Sequence, residues 1–220
     1  MIDRMAWHSI RAASERNVAR DLRLHVHGLD NLPRDGPVLL VARHYHHLYD
    51  GCAVMATVPR EVLVLVGLDW IERPLALRGM QAACRAAGWP VVYRNTSELD
   101  RARWLPALRE AMRQSIQILR DGKVLLVFPE GYPTIDPHPT PRIGDDEILP
   151  FQLGFVRIAR DAQQSGIALR TLPLGFHYER VEGRWDVTMR FGASLELDSN
   201  DPALDIAEQV RSIVSQLSVA

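Results

Sequence analysis

Val38-Leu39-Leu40-Val41-Ala42-Arg43-His44-Tyr45-His46-His47-Leu48-Tyr49-Asp50-Gly51 is the stretch on which the fold of this chain turns. Its first five residues are apolar without a break, the pattern of a strand covered on both faces. Strands of that kind occur in parallel sheets with helices packed on either side. Polar residues then take over, and a helix is predicted to begin inside the His-rich turn and to end before Pro59. Histidines and a carboxylate therefore stand where a buried strand gives way to a helix, and open α/β sheets keep their sites at such strand ends.

The same alternation continues outward. Upstream, Leu22, Leu24 and Val26 alternate with Arg23, His25 and His27, which predicts a half-buried strand with its histidines toward solvent. Residues 31–37 read as a turn. Downstream, 62–66 is a second buried strand, 75–87 a helix stopped by Gly88, and 90–93 a further strand. Leu105, Leu108, Met112, Ser115 and Leu119 mark a long helix closed by Gly122, and 124–128 is the next buried strand. Pro133, Pro137, Pro139, Pro141 and Pro150 break any regular element over 132–150. A long loop there is either a lid or substrate wall or a plain surface excursion. A helix over 152–165, strands within 169–176 and 185–197, and a last helix opened by Asp201 as N-cap and Pro202 complete the chain. The predicted class is α/β, a single domain with a mainly parallel central sheet flanked by helices over residues 21–220, preceded by a helix over 1–20.

Composition narrows the function. The 220 residues fit one large domain, and 47% hydrophobic residues support a packed core rather than disorder. With 26 basic and 27 acidic residues there is no basic field for nucleic acid. Cys52 and Cys84 form no CxxC pair, which argues against a disulfide framework or a thiolate zinc site and for a reducing, cytoplasmic setting. No apolar run is long enough to span a membrane, and residues 1–20 lack the continuous apolar stretch of a signal peptide. They do read as an amphipathic helix, with Ile2, Met5, Ala6, Ile10 and Ala13 on one face, Trp7 at its border, and Arg4, Arg11 and Arg16 elsewhere. Such a helix either lies in a membrane interface or packs on its own domain.

One of His44, His46 and His47 can serve as a general base if its far nitrogen has an acceptor, and Asp50 is a candidate for that acceptor. His46 and Asp50 are four apart, neighbours on a regular helix. The three histidines lack a metal-ligand spacing such as H-E-x-x-H. Phe128-Pro129-Glu130-Gly131 ends another apolar strand with a carboxylate, and a buried carboxylate needs a partner. Arg94, which closes Val91-Val92-Tyr93, is the candidate partner, either in a structural ion pair or in the floor of a polar pocket. No G-x-S-x-G, Walker loop or G-x-G-x-x-G is present. Cys52 reads as a packing thiol rather than a nucleophile.

Taken in order, these blocks resemble the lysophospholipid acyltransferase family, which includes the 1-acylglycerol-3-phosphate and glycerol-3-phosphate acyltransferases. The family's apolar strand followed by Asn-His-x4-Asp is matched by residues 38–50, its Gly-x5-Arg by Gly88 to Arg94, and its Phe-Pro-Glu-Gly by residues 128–131. A later Phe-Lys-x-Gly resembles Phe151-Gln152-Leu153-Gly154, and Val-Pro-hydrophobic resembles Leu172-Pro173-Leu174. The likeness spans roughly residues 25–180, and its strength lies in the order of the blocks. Three departures stand out. Tyr45 sits five before Asp50, so the spacing is His44-x5-Asp50 or His46-x3-Asp50; Tyr132-Pro133 replaces Thr-Arg; Gln152 replaces Lys.

The resemblance implies acyl transfer from acyl-CoA or an acyl carrier protein to a hydroxyl of a glycerophospholipid-like or other lipid acceptor, with no further cofactor and no metal. It implies His44 as the base, oriented by Asp50, because His44 follows the strand as the family's histidine does; His46 is the alternative. Arg94, Glu130 and Gly131 are implied to line the acceptor pocket. The implied partners are the lipid acceptor, the acyl donor and a membrane surface bound peripherally, on the inner face of the cell membrane. The rival readings are a thioesterase or lipid esterase using the same pair on water, and a non-catalytic lipid-binding relative. The missing cations at 133 and 152 predict that ordinary lysophosphatidate is not the preferred acceptor.

Overall fold

The alternation of apolar runs and helical segments sets the element order in the computed structural model, which describes residues 4–93, 101–137, 140–141, 144, 147–198 and 200–219. In chain order these form α1 (Arg4–Asp21), β1 (Leu22–His27), β2 (Val38–Ala42), α2 (Tyr49–Thr57), β3 (Val62–Val64), β4 (Val66–Gly67) and α3 (Pro74–Ala87). There follow β5 (Val91–Val92), α4 (Arg101–Arg120), β6 (Val124–Val127), α5 (Gly154–Gln164), β7 (Arg170–Val181), β8 (Arg184–Phe191) and α6 (Ala203–Leu217).

β2 sits inside a six-stranded sheet of order β1-β8-β7-β2-β6-β3. It runs parallel to both neighbours, with Val38 opposite Val124 of β6 and Arg170 of β7. β3 continues the parallel run beside β6, whereas β8 turns back antiparallel on β7 and carries β1 parallel to itself. The sheet is thus mainly parallel, as the unbroken apolar runs require. All five residues of β2 and all four of β6 are buried. Successive side chains leave opposite faces of a strand. Val38, Leu40 and Ala42 join Ala53 and Val54 of α2 in one layer, while Leu39 and Val41 join Leu119, Phe155, Ile158 and Val210 of α4, α5 and α6 in the other. Burying each such Leu or Val side chain is worth about 1.5–3 kcal/mol.

Three sequence expectations change. The strands placed within 169–176 and 185–197 are one hairpin, β7 to β8, joined at Glu182 (φ 50°) and Gly183 (φ 82°); two consecutive positive φ values give the turn whose twist matches a hairpin. β8 ends at Phe191, with a single bridge from Leu195 to Thr171 beyond it. The last helix starts at Ala203 with Pro202 at its N-cap, so Asp201 lies outside it.

The N-terminal helix also presents a different face from the one read in the sequence. α1 packs on α2 through Ile10, Ser14 and Val18, and Arg11 donates to the Ala56 and Val58 carbonyls at the end of α2. Met5 and Ala13, assigned to the apolar face, are exposed. The carbonyls left open at the end of α2 select a mixed polar face, a partner that helical periodicity alone does not reveal. Among the described residues no helix is long and apolar enough to cross a membrane.

Candidate active site

Parallel neighbours end at the same edge of a sheet. The register of β2 on β6 therefore brings Arg43 and His44 out beside Phe128, Pro129 and Glu130. The latter segment makes a tight turn. Pro129 presets the φ of its second position, the Gly131 N–H donates to the Phe128 carbonyl at 3.2 Å, and Gly131 takes φ 74°. The turn sends the Glu130 side chain inward, where it is 1% exposed. Its two oxygens accept the His44 N–H at 2.7 Å and the Leu149 N–H at 3.0 Å. Arg94, the cation expected to face it, lies outside the described residues.

His44 and Asp50 meet. His44 Nδ1 is 3.1 Å from Asp50 Oδ2, and the imidazole stacks on Phe128 with centroids 4.3 Å apart. Asp50 lies in the first turn of α2 and is completely buried. Its Oδ2 also accepts the Tyr45 N–H at 2.6 Å and the His46 N–H at 2.9 Å, while Oδ1 accepts the Tyr178 hydroxyl at 2.6 Å. In each of these contacts the carboxylate is the acceptor. An acceptor so supplied calls for a proton on His44 Nδ1, which makes Nε2 the basic nitrogen. The additional residue between His44 and Asp50 is taken up by the turn 44–46, which wraps the Tyr45 and His46 amides around the carboxylate.

His46 is held differently. It is 8% exposed and sits among His47, Tyr49, Tyr178 and Trp185. Its Nδ1 accepts the Leu48 N–H at 3.3 Å. Burial, with help from the neighbouring His47, pushes its pKa down to about 4. His46 is thus a neutral and weakly basic group near pH 7. His47 is exposed, with Nδ1 3.2 Å from the Ile135 carbonyl.

The Pro-rich segment after Glu130 is fastened at its start. Thr134 N–H donates to the His44 carbonyl, Ile135 N–H to the Tyr45 carbonyl, and His47 N–H to the Ile135 carbonyl. At its far end the Gln152 N–H donates to the Pro129 carbonyl at 2.8 Å. The Gln152 side chain is exposed and Pro133 is buried. A cleft of about 410 Å³ opens between α4 and α5, lined by Leu108, Met112, Leu153, Val156, Arg157 and Arg160. Among the described residues no group of three or more His, Cys, Asp or Glu is gathered to hold a metal.

Two groups at the site escaped the sequence reading. Tyr178 is 128 residues from Asp50, and its only signal is the alternation Leu174, Phe176, Tyr178 on one strand face. Ile135, which pairs with the His turn, lies in a stretch whose composition announces only a loop.

The family model described as Acyltransferase matches residues 23–175, from β1 into β7, a span that includes His44, Asp50 and Glu130. No curated protein matches the chain. Among solved structures, the 1-acyl-sn-glycerophosphate (LPA) acyltransferase PlsC from Thermotoga maritima is similar, with a TM-score of 0.64 and 19% identity over 98% of this chain and 81% of that one. At that identity the likeness concerns the fold.

Proposed function

The chain belongs to the acyltransferase family, and on that premise we propose that it moves a fatty acyl group from acyl-CoA or an acyl carrier protein to a hydroxyl of a glycerophospholipid-like or other lipid acceptor. The observation that carries this reading is His44, 18% exposed at its side chain, backed at 3.1 Å by the fully buried Asp50. Nε2 takes the acceptor's proton as its oxygen attacks the thioester carbonyl. Asp50 keeps the ring in the required tautomer and stabilises the imidazolium. When the tetrahedral intermediate collapses, the thiolate leaves with the proton that His44 held. The acceptor oxygen is itself the nucleophile, so no acyl-enzyme forms. Base assistance of this kind contributes about 10²–10⁴-fold. No metal or further cofactor enters these steps.

His46 is the poorer base, because its ring is desolvated and its Nδ1 is engaged by a backbone amide. Glu130 serves the acceptor side indirectly, by fixing the backbone of His44. Gly131 and Arg94 are the remaining residues assigned to the acceptor pocket. Gln152 and Pro133 stand where the family carries cations, which favours an acceptor other than lysophosphatidate.

A lipid acceptor calls for a membrane surface on the cytoplasmic side, where the donor thioesters are. α1 is engaged on α2, but Trp70, Leu75 and Met80 are large exposed hydrophobics on or just before α3, beside Arg73 and Arg78. That combination suits peripheral contact with an anionic interface.

The test is an acceptor screen with one acyl-CoA, read by mass spectrometry, that includes lysophosphatidate and neutral acceptors. An acylated acceptor is expected. Free fatty acid formed equally with and without acceptor would make the protein a hydrolase, and lipid binding without turnover would make it a non-catalytic relative. Lysophosphatidate turned over as fast as any neutral acceptor would overturn the acceptor assignment.

A further inference from the structure

Asp50 is held on both sides. Oδ2 faces His44, and Oδ1 faces a hydroxyl from another strand. Tyr178 lies on β7, beside β2 in the sheet, and is 5% exposed. Its ring lies flat on Tyr45, centroids 4.6 Å apart at 4°, and meets Trp185 edge-on at 5.7 Å. The Arg43 guanidinium sits 5.0 Å over Tyr45 and so braces the stack. With these rings fixing the phenol, its hydroxyl donates to Asp50 Oδ1 at 2.6 Å.

We propose that Tyr178 is a positioning residue for proton transfer: its hydroxyl stabilises the Asp50 anion and holds the carboxylate so that Oδ2 faces His44. Tyr178 touches no substrate in this scheme and acts through Asp50. The inference rests on the reading of His44 and Asp50 as the base pair. Its chemistry is that of an anion losing a donor. The net negative form of the pair, Asp50 ionised and His44 neutral, is stabilised by the hydroxyl more than the form with one proton added. Removing the hydroxyl therefore makes the pair bind a proton at higher pH, wherever that proton sits. Burial and the Asp50 charge push the Tyr178 hydroxyl well above the ordinary phenol range, so it remains a donor at working pH. Among the described residues the ionisable groups around the pair include His46, His47, Tyr45, Cys52, Glu130, Arg43 and Arg180, all retained when only Tyr178 is changed.

The experiment compares the wild-type chain with Tyr178→Phe by the pH dependence of kcat/KM and by NMR titration of labelled histidine. The acid limb of the rate profile and the His44 titration midpoint are expected to move up together by about one to two pH units. kcat at pH 6 is expected to fall while KM for donor and acceptor stays within twofold. A second variant keeps the ring: difluorotyrosine at position 178, a stronger donor, should move the His44 midpoint down. An unmoved His44 midpoint in both variants would overturn the proposal, since a purely structural tyrosine would alter stability and leave the titration where it was. His44→Ala separates the two claims. If it retains turnover, the base assignment fails, while the titration still reports whether Tyr178 acts on the pair.

Discussion

The main-chain N–H of His44 donates to the carboxylate of Glu130 at 2.7 Å, across the gap between the ends of β2 and β6. The second oxygen of the same carboxylate takes the Leu149 N–H, at the far end of the Pro-rich segment. One buried acid thus ties together the histidine turn, the Phe-Pro-Glu-Gly turn and the end of the long loop. Each oxygen has a backbone donor that no solvent can replace.

Glu130→Gln is expected to destabilise the fold. A glutamine presents one acceptor oxygen and one amide nitrogen, so one of the two backbone N–H groups would face another donor. Chemical denaturation should register a loss of about 1–3 kcal/mol, and turnover should fall because His44 is no longer fixed. An unchanged denaturation midpoint would mean that Glu130 does not anchor the loop.

Asp50→Asn is expected to behave in the opposite way. The amide oxygen can take the Tyr45 and His46 N–H groups on the Oδ2 side, and the amide nitrogen can donate to the Tyr178 hydroxyl on the other. The fold should therefore survive, while turnover falls about 10²–10⁴-fold for want of the anion behind His44. His44→Ala should fall as far, and His46→Gln should stay within a few fold. Assays at saturating substrate decide it; an inactive His46→Gln beside an active His44→Ala would reverse the assignment.

Stability should depend on pH through His46. Its folded-state pKa of about 4 lies below its ordinary value of 6.5. As pH falls through that window the unfolded chain gains the proton and the folded chain does not, so the fold loses stability, by up to about 3 kcal/mol at the low end. Above pH 6.5 the contribution is constant. Denaturant titrations from pH 7 to 4 should have a shallower slope in His46→Gln; an identical slope would assign the acid sensitivity elsewhere.

Liposome flotation tests the membrane surface. Deleting α1 would strip a helix packed on α2, so the informative variant is Leu75→Ser with Met80→Ser, both exposed. Wild-type chain should float with anionic vesicles and the double variant should be substantially lost. Equal recovery would remove α3 from the interface.

The layers of this fold were written in local composition. An unbroken run such as 38–42 or 124–127 has to be covered on both faces, which forces a parallel sheet with helices on each side. That Asp50 would meet one of the nearby histidines was legible too; spacing alone pointed to His46, and only the family resemblance pointed to His44, which is the one found against Asp50. The inward face of α1 was not, because it is chosen by the carbonyls at the end of α2 and not by the helix's own apolar period.

What the sequence by itself determined, then, is the set of parts: buried strands, the helices between them, and two carboxylates and a histidine at strand ends. Only the tertiary structure decided what each carboxylate is for. Glu130 accepts two backbone amides, one of them that of His44 itself, and Asp50 is completed by a tyrosine 128 residues away. The reason is physical. A buried anion must be satisfied by whatever donors the packing brings within 3 Å, and strand order, which sets those neighbours, is a property of the whole sheet and not of any local stretch.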